Sequence, residues 1–251
     1  MRIRSLSIGL CAGLITLLGA YSARAAESEC RFGEQLDALA AVQKTAAENS
    51  LEALRAELVL RKNILSSITD CGIRDAKNLL RGLNLVAVSE QSAAPLRDQF
   101  AARLNQAIEY YELQKSRLDD LGLQATKDTA KNMREWRRSI YTPLADRAGN
   151  FIIWTKNQAL IRAAKNRLSQ VNQTIQTLKL ADYEEVKNFW SDAERNVWDA
   201  ERLNEDARSS LGRFDDPEVS LAIIKNSLQA LSLTYQNFFD LSESVKQIVP
   251  L

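Results

Sequence analysis

The stretch DPEVSLAIIKNSLQALSLTYQNFFDLSESVKQIV (216–249) decides how the rest of the chain is read. Leu221, Ile224, Leu228, Leu231, Tyr235, Phe238, Val245 and Val249 recur at alternating spacings of three and four, with Ser242 the one polar interruption. Successive side chains at that spacing fall on one stripe of an α-helix, narrow enough to be a heptad seam buried against partner helices. Asp216 stands where an N-cap carboxylate meets the free amides of the first turn, and Pro217 occupies a position where a missing N–H costs nothing. The spacing predicts a helix from Pro217 to about Ile248.

The same pattern extends toward the N-terminus. Asp182 with Glu185 reads as a capping-box start, followed by Val186, Trp190, Ala193, Val197, Ala200, Ala207 and Leu211 on one face until Gly212. Thr142 reads as the cap of a helix entered through Pro143, with a buried stripe of Ile153, Leu160, Ala164, Leu168, Val171, Ile175 and Leu178. Further helices are predicted over Leu96–Leu121 and Leu123–Tyr141. Residues 33–69 are also helical in pattern, through Leu36, Leu39, Leu51, Leu54, Leu58, Leu65 and Ile68. A short helix over Ile73–Leu80 then leads into LNLVAVSEQSAA (83–94), the one long loop expected. Short turns between long helices force antiparallel neighbours. The expected fold is therefore all-α: an elongated antiparallel up-and-down bundle of five or six long amphipathic helices with coiled-coil-like packing, forming a single domain over 26–251.

Composition excludes much else. The 251 residues hold 33 Lys+Arg against 32 Asp+Glu, so nothing suggests a polybasic nucleic-acid binder or an acidic disordered tail. With 9 Gly and 4 Pro there are too few turn residues for a β-sandwich. The absence of histidine removes the commonest general base and metal ligand.

The chain opens MRIRSLSIGLCAGLITLLGAYSARAAESEC. Arg2 and Arg4, the apolar run Ile8–Leu18 and the small-x-small pair Ala23 and Ala25 make a secretory signal peptide over 1–25, with cleavage after Ala25. An uncleaved anchor is the competing reading. Removal takes Arg2, Arg4 and Arg24 from the basic total and no acid, so the mature chain turns slightly acidic. No later apolar run approaches the length of a transmembrane helix. The expected location is outside the cytoplasm, in the periplasm or the extracellular space.

Two cysteines follow the leader, Cys30 and Cys71, and in an oxidising compartment a lone pair is first read as a disulfide. Geometry conflicts with this if residues 33–69 are one helix, whose ends would stand roughly 55 Å apart. A disulfide joins Cα atoms about 4.4–6.8 Å apart. A break near Ala47-Glu48-Asn49-Ser50, with Asn49 as N-cap and Glu52 at the third position, turns the segment into a hairpin and reconciles the two. A disulfide-linked dimer and two free thiols are the alternatives.

Reactive constellations are scarce. The acidic pairs Asp119-Asp120, Glu184-Glu185 and Asp215-Asp216 sit at helix ends, where capping accounts for them better than Ca²⁺ does. No G-x-S-x-G, S-x-x-K or P-loop string occurs, and no metal or cofactor is expected. The distinctive surface stretch is KDTAKNMREWRRSIY (127–141), where Lys127, Lys131, Arg134, Arg137 and Arg138 surround Trp136 and Tyr141. Such a patch can dock on anionic lipid, lipopolysaccharide or a cell-wall polymer. The plainer account is that these cations complement the negative end of a helix while Trp136 faces the core. Tyr110-Tyr111 and Phe238-Phe239 each place one ring on a seam and leave the other outside.

The function expected from these features is that of a non-enzymatic exported interaction or structural module for an envelope protein or a surface polymer, with self-association left open. The alternative is a membrane-active or membrane-peripheral helical protein, and an enzyme ranks last.

Overall fold

The computed structural model describes Cys30, residues 32–45, 50–86 and 93–249. The leader, its Ala23 and Ala25, and Asn49 of the expected turn lie outside the described residues. Among the described residues the chain is helical and has no strand. Its elements are α1 (Gly33–Thr45), α2 (Leu51–Leu85), α3 (Ala94–Ser116), a 3₁₀ turn (Leu118–Asp120), α4 (Leu123–Trp136), a π-helical segment (Arg137–Tyr141), α5 (Thr142–Thr177), α6 (Glu184–Arg213) and α7 (Pro217–Ile248). Packing divides the chain between Gly149 and Asn150 into two compact units, where the sequence reading treats residues 26–251 as one.

In the first unit, α1 and α2 form the hairpin that the cysteines require. Ser50 rather than Asn49 precedes α2, and its Oγ accepts the Ala53 amide at 3.1 Å. A hydroxyl there satisfies one of the free N–H groups of the first turn. Gln43 reaches Glu57 across the hairpin at 3.1 Å. Helix α2 does not stop near Thr69 but runs through Gly72 and Gly82 to Leu85. Gly72 is there for space. A Cβ would stand 2.5–2.8 Å from three carbons of the Tyr111 ring, so any side chain must displace that tyrosine. Helix α3 runs antiparallel to α2, since Lys62, Asp70 and Lys77 face Asp119, Lys115 and Glu112 in descending order. Helix α4 returns alongside α2. The core of the unit is Ile64, Leu65, Ala76 and Leu83 of α2 against Phe100, Leu104, Ala107 and Tyr111 of α3, with Met133 of α4. Leu36, Leu51 and Leu54, read as seam residues, are exposed.

The helix boundary expected at Thr142 is absent. Helices α4 and α5 follow one another through the π segment with no turn between them. Pro143 has no N–H, and in a regular helix its ring meets the carbonyl four residues back. Here the turn ahead of it is widened: the Thr142 amide donates to Arg137 O, five residues back. The helix thus absorbs the proline instead of ending at it.

The second unit packs α5 from Asn150 onward against α6 and α7. Neighbours are again antiparallel: Lys165 pairs with Glu201 while Asn157 meets Asn204, and Ser244 pairs with Glu185 while Ser227 meets Ala200. On α6 every seventh residue of the buried face is small or β-branched (Val186, Ala193, Ala200, Ala207). Opposite them α7 presents Ser220, Ser227 and Thr234, all buried. Small side chains let the backbones close until the Ser227 hydroxyl donates to the Ala200 carbonyl at 2.6 Å. Ile224, Leu231 and Phe238 fill the adjoining positions.

Helix α7 spans Pro217–Ile248 as its seam implied, with Asp216 accepting the Glu218 amide at 3.0 Å. Other termini differ from expectation. Asp182 does not cap α6: Tyr183 holds the N-cap position without a side-chain bond, and Glu185 accepts instead from Ser244 Oγ. Gly212 is helical, and Phe214 takes the left-handed position beyond it (φ 57°). The α5 stripe is also displaced. Leu178 is 45% exposed and Ile153 and Leu160 are half-buried, while Trp154, Ile161, Ala164 and Ile175 are buried.

Beyond α5, Lys179 also adopts a left-handed backbone (φ 56°). The Leu180 amide returns to Ile175 O and the Lys179 amide to Gln176 O, while the Ile175 and Leu180 side chains share one buried cluster. This is a Schellman closure, which favours glycine at the left-handed residue. A side chain in that region costs roughly 1–2 kcal/mol, and the Lys179 side chain is exposed. Lys179→Gly is therefore expected to raise stability by about 0.5–1 kcal/mol, the relief being partly offset by glycine's larger unfolded-state entropy. Urea unfolding checks this, and a variant less stable than the parent refutes it.

Candidate functional site

The functional features of the first unit gather where α2, α3, α4 and the π segment meet. Cys71 and Asp75 stand one turn apart on α2, and Cys30 is joined to Cys71 by a disulfide with Cα atoms 6.1 Å apart. Of the three outcomes open to the two cysteines, the intramolecular bond is the one formed. Arg74 Nη2 lies 3.5 Å from Cys30 Sγ.

Asp75 is buried and accepts from Arg137 Nη2 at 3.4 Å. Arg137 belongs to the π segment, whose wider turn re-aims side chains relative to a regular helix. Its guanidinium also sits over the Tyr141 ring, 5.4 Å from the centroid. Burial works against the Arg137 charge. The oxygens of Tyr111, Asp75 and Tyr141 more than restore it, so Arg137 titrates above its ordinary value.

Around this ion pair lies an aromatic cluster. Trp136 stacks on Tyr110 with centroids 3.8 Å apart, and Tyr111 meets Trp136 and Tyr141 edge-on at 5.3 and 5.6 Å. Burial pushes both the Tyr111 and Tyr141 phenols up from their ordinary values. The Tyr141 hydroxyl oxygen is buried and has no hydrogen-bond partner among the described residues, while the Tyr111 hydroxyl lies within hydrogen-bonding reach of Arg137. Tyr111 is the seam ring of its pair and Tyr110 is half-buried, while Phe238 is buried and Phe239 exposed, as the sequence indicated.

The five cations of the 127–141 stretch do not form one patch. Arg137 turns inward to Asp75. Lys127 stands 4.0 Å from Glu57, which is only 5% exposed and also accepts from Gln43 and Arg61. Burial alone would raise the Glu57 pKa, but the bonds from Gln43 and Arg61, with the charges of Arg61 and Lys127, lower it overall. Lys131, Arg134 and Arg138 remain. They are exposed, follow one another at helical spacings of three and four, and have no ion pair among the described residues. Trp136 is half-buried against Tyr110 instead of facing solvent.

The acidic pairs lie at helix ends, and Asp216 is the member whose side chain is seen to cap one. The Asp119 carbonyl accepts from Lys62, Glu184 and Glu185 occupy the first turn of α6, Asp215 pairs with Arg213, and Asp216 caps α7.

A second polar centre lies inside the second unit. Asn157 Nδ2 donates to Asn204 Oδ1 at 2.9 Å and to Ser227 Oγ at 2.8 Å, and Trp154 Nε1 donates to the Asn204 carbonyl at 2.8 Å. Asn150 Nδ2 donates to Pro217 O and Ser220 Oγ. Buried asparagines on a helix seam discriminate against misaligned neighbours, because any other register strands their amides in an apolar core.

Sequence reasoning missed Asp75, Tyr111 as the partner of Gly72, and this asparagine layer. One signal was available for each of two of them. Asp75 lies four residues from Cys71, on the same helix face. Asn150 and Asn157 stand at heptad spacing with Ala164 and Val171, which a count of apolar positions alone passes over. Compared with known proteins, the chain matches no family model, no curated protein and no solved structure.

Proposed function

We propose that the protein is a non-enzymatic, exported interaction module whose helical scaffold holds a cationic face against an anionic cell-surface polymer or an envelope protein that carries one. The observation supporting this reading is the stripe Lys131, Arg134 and Arg138. Lys127 and Arg137 are drawn to Glu57 and Asp75, while these three cations face solvent on a rigid helix. The leader-like residues 1–25 are consistent with delivery to such a surface. Among the described residues no helix is long and apolar enough to cross a membrane. Contact with an anionic surface would thus be made from outside it.

Each Lys or Arg near an anionic surface contributes about 1 kcal/mol, so removing three weakens binding by about a hundredfold. The test measures co-sedimentation with purified envelope polymer, and with neutral and anionic vesicles, for the parent and for Lys131→Gln, Arg134→Gln and Arg138→Gln combined. Salt-sensitive binding lost in the triple variant is the expected result. Equal binding by parent and variant would remove the stripe from the account. Leakage of vesicle contents would instead favour a membrane-active protein.

A further inference from the structure

We propose that Cys30, Cys71 and Asp75 become, once the disulfide is reduced, a binding site for one thiophilic divalent cation of the Zn²⁺ type. This inference is independent of the cationic stripe. Both sulfurs and a carboxylate oxygen of Asp75 lie within 4.8 Å of one another, although Cys30 is separated from Cys71 by 41 residues of sequence. Two thiolates and a carboxylate form a borderline-soft donor set suited to Zn²⁺, with water in the fourth position of a tetrahedron. Zn–S bonds of about 2.3 Å place the sulfurs about 3.8 Å apart. The Cα separation of 6.1 Å allows this by side-chain rotation alone.

The surroundings of the three ligands also fit a metal. Three anionic ligands in one place need compensation beyond the dication, and two arginines provide it. Arg137 holds Asp75 Oδ2 at 3.4 Å, and Arg74 stands 3.5 Å from Cys30 Sγ. A ligating carboxylate fixed by such an outer partner is a recurring feature of metal sites. Tyr111 and Tyr141 are buried rings that meet edge-on beside Arg137, the outer partner of Asp75.

The chemistry balances. A dithiol reductant delivers two electrons to the S–S bond, is oxidised to its own disulfide, and leaves Cys30 and Cys71 as thiols. Metal binding then releases both thiol protons to solvent while Asp75 adds its carboxylate oxygen. A small-molecule disulfide takes two electrons from the two thiolates by exchange, leaves as two thiols, expels the ion and restores the Cys30–Cys71 bond, so the site alternates between a covalent staple and a metal staple across the same hairpin.

The test uses the purified protein, oxidised or reduced with a phosphine, titrated anaerobically with Co²⁺ and then with Zn²⁺ against a chromophoric chelator. The reduced protein is expected to take up one equivalent of Co²⁺ with near-ultraviolet sulfur-to-cobalt absorption that Zn²⁺ abolishes, and the oxidised protein none. Asp75→Asn keeps both cysteines and is expected to bind at least about tenfold more weakly, since even outer-shell partners are worth that much. Absence of the sulfur-to-cobalt band in the reduced parent overturns the proposal, whatever the variant does. Full-affinity binding by a helical Asp75→Asn also overturns it.

Discussion

Trp154→Ala is expected to lower the stability of the second unit by about 3–5 kcal/mol, the range for deleting a fully buried large aromatic side chain. Trp154 is 0% exposed and packs beside Phe151 with centroids 5.5 Å apart. Its indole N–H is the donor that the Asn204 carbonyl receives, so truncation leaves both a cavity and a buried carbonyl without that bond. Trp198→Ala is the control. That ring is 57% exposed and stands over the Lys165 ammonium, 4.6 Å from its centroid. Its loss is expected to cost no more than about 1 kcal/mol. Urea unfolding followed by far-ultraviolet circular dichroism compares the two without relying on tryptophan fluorescence. Equal effects would mean that the unit is not organised around Trp154.

The second large effect concerns the staple. Cys30→Ser with Cys71→Ser, or reduction without metal, is expected to cost up to about 4 kcal/mol, the loop-closure entropy for a separation of 41 residues. The loss is expected to be uneven. Helix α1 presents Leu36, 51% exposed, and the described bond from its side chains to α2 is Gln43 to Glu57. The remaining helices of the unit share the core built on Phe100, Leu104 and Tyr111. Amide hydrogen exchange should therefore show α1 losing protection while α2 and α3 keep theirs. Retained protection in α1 after removal of the bond would show that packing, not the disulfide, holds the hairpin.

Local signals and distant ones were legible to different degrees. Pro217 with Asp216 marks the start of α7 because capping depends on residues within one turn of each other. Pro143 carries the same local signal and misleads. Its missing hydrogen bond is absorbed by the π segment, whose Arg137 and Tyr141 pack on Asp75 and Tyr111 from other helices. Gly72 reads as punctuation in the sequence and is instead the seat of a ring 39 positions away. The 127–141 cations were visible as a group, yet their division into two that pair with buried acids and three without an ion pair among the described residues depends on Glu57 and Asp75. Nothing near residues 127–141 in the chain reports where those acids lie.

Periodicity, capping residues and the scarcity of glycine and proline determined that this chain is helical and roughly where its helices lie, because each of those preferences acts over a few residues. Only the tertiary structure decided which asparagines enter the core, which arginine turns inward, and that two cysteines and an aspartate converge. Each of those outcomes is set by the complementarity of side chains brought together from distant parts of the chain, whose register no local pattern encodes.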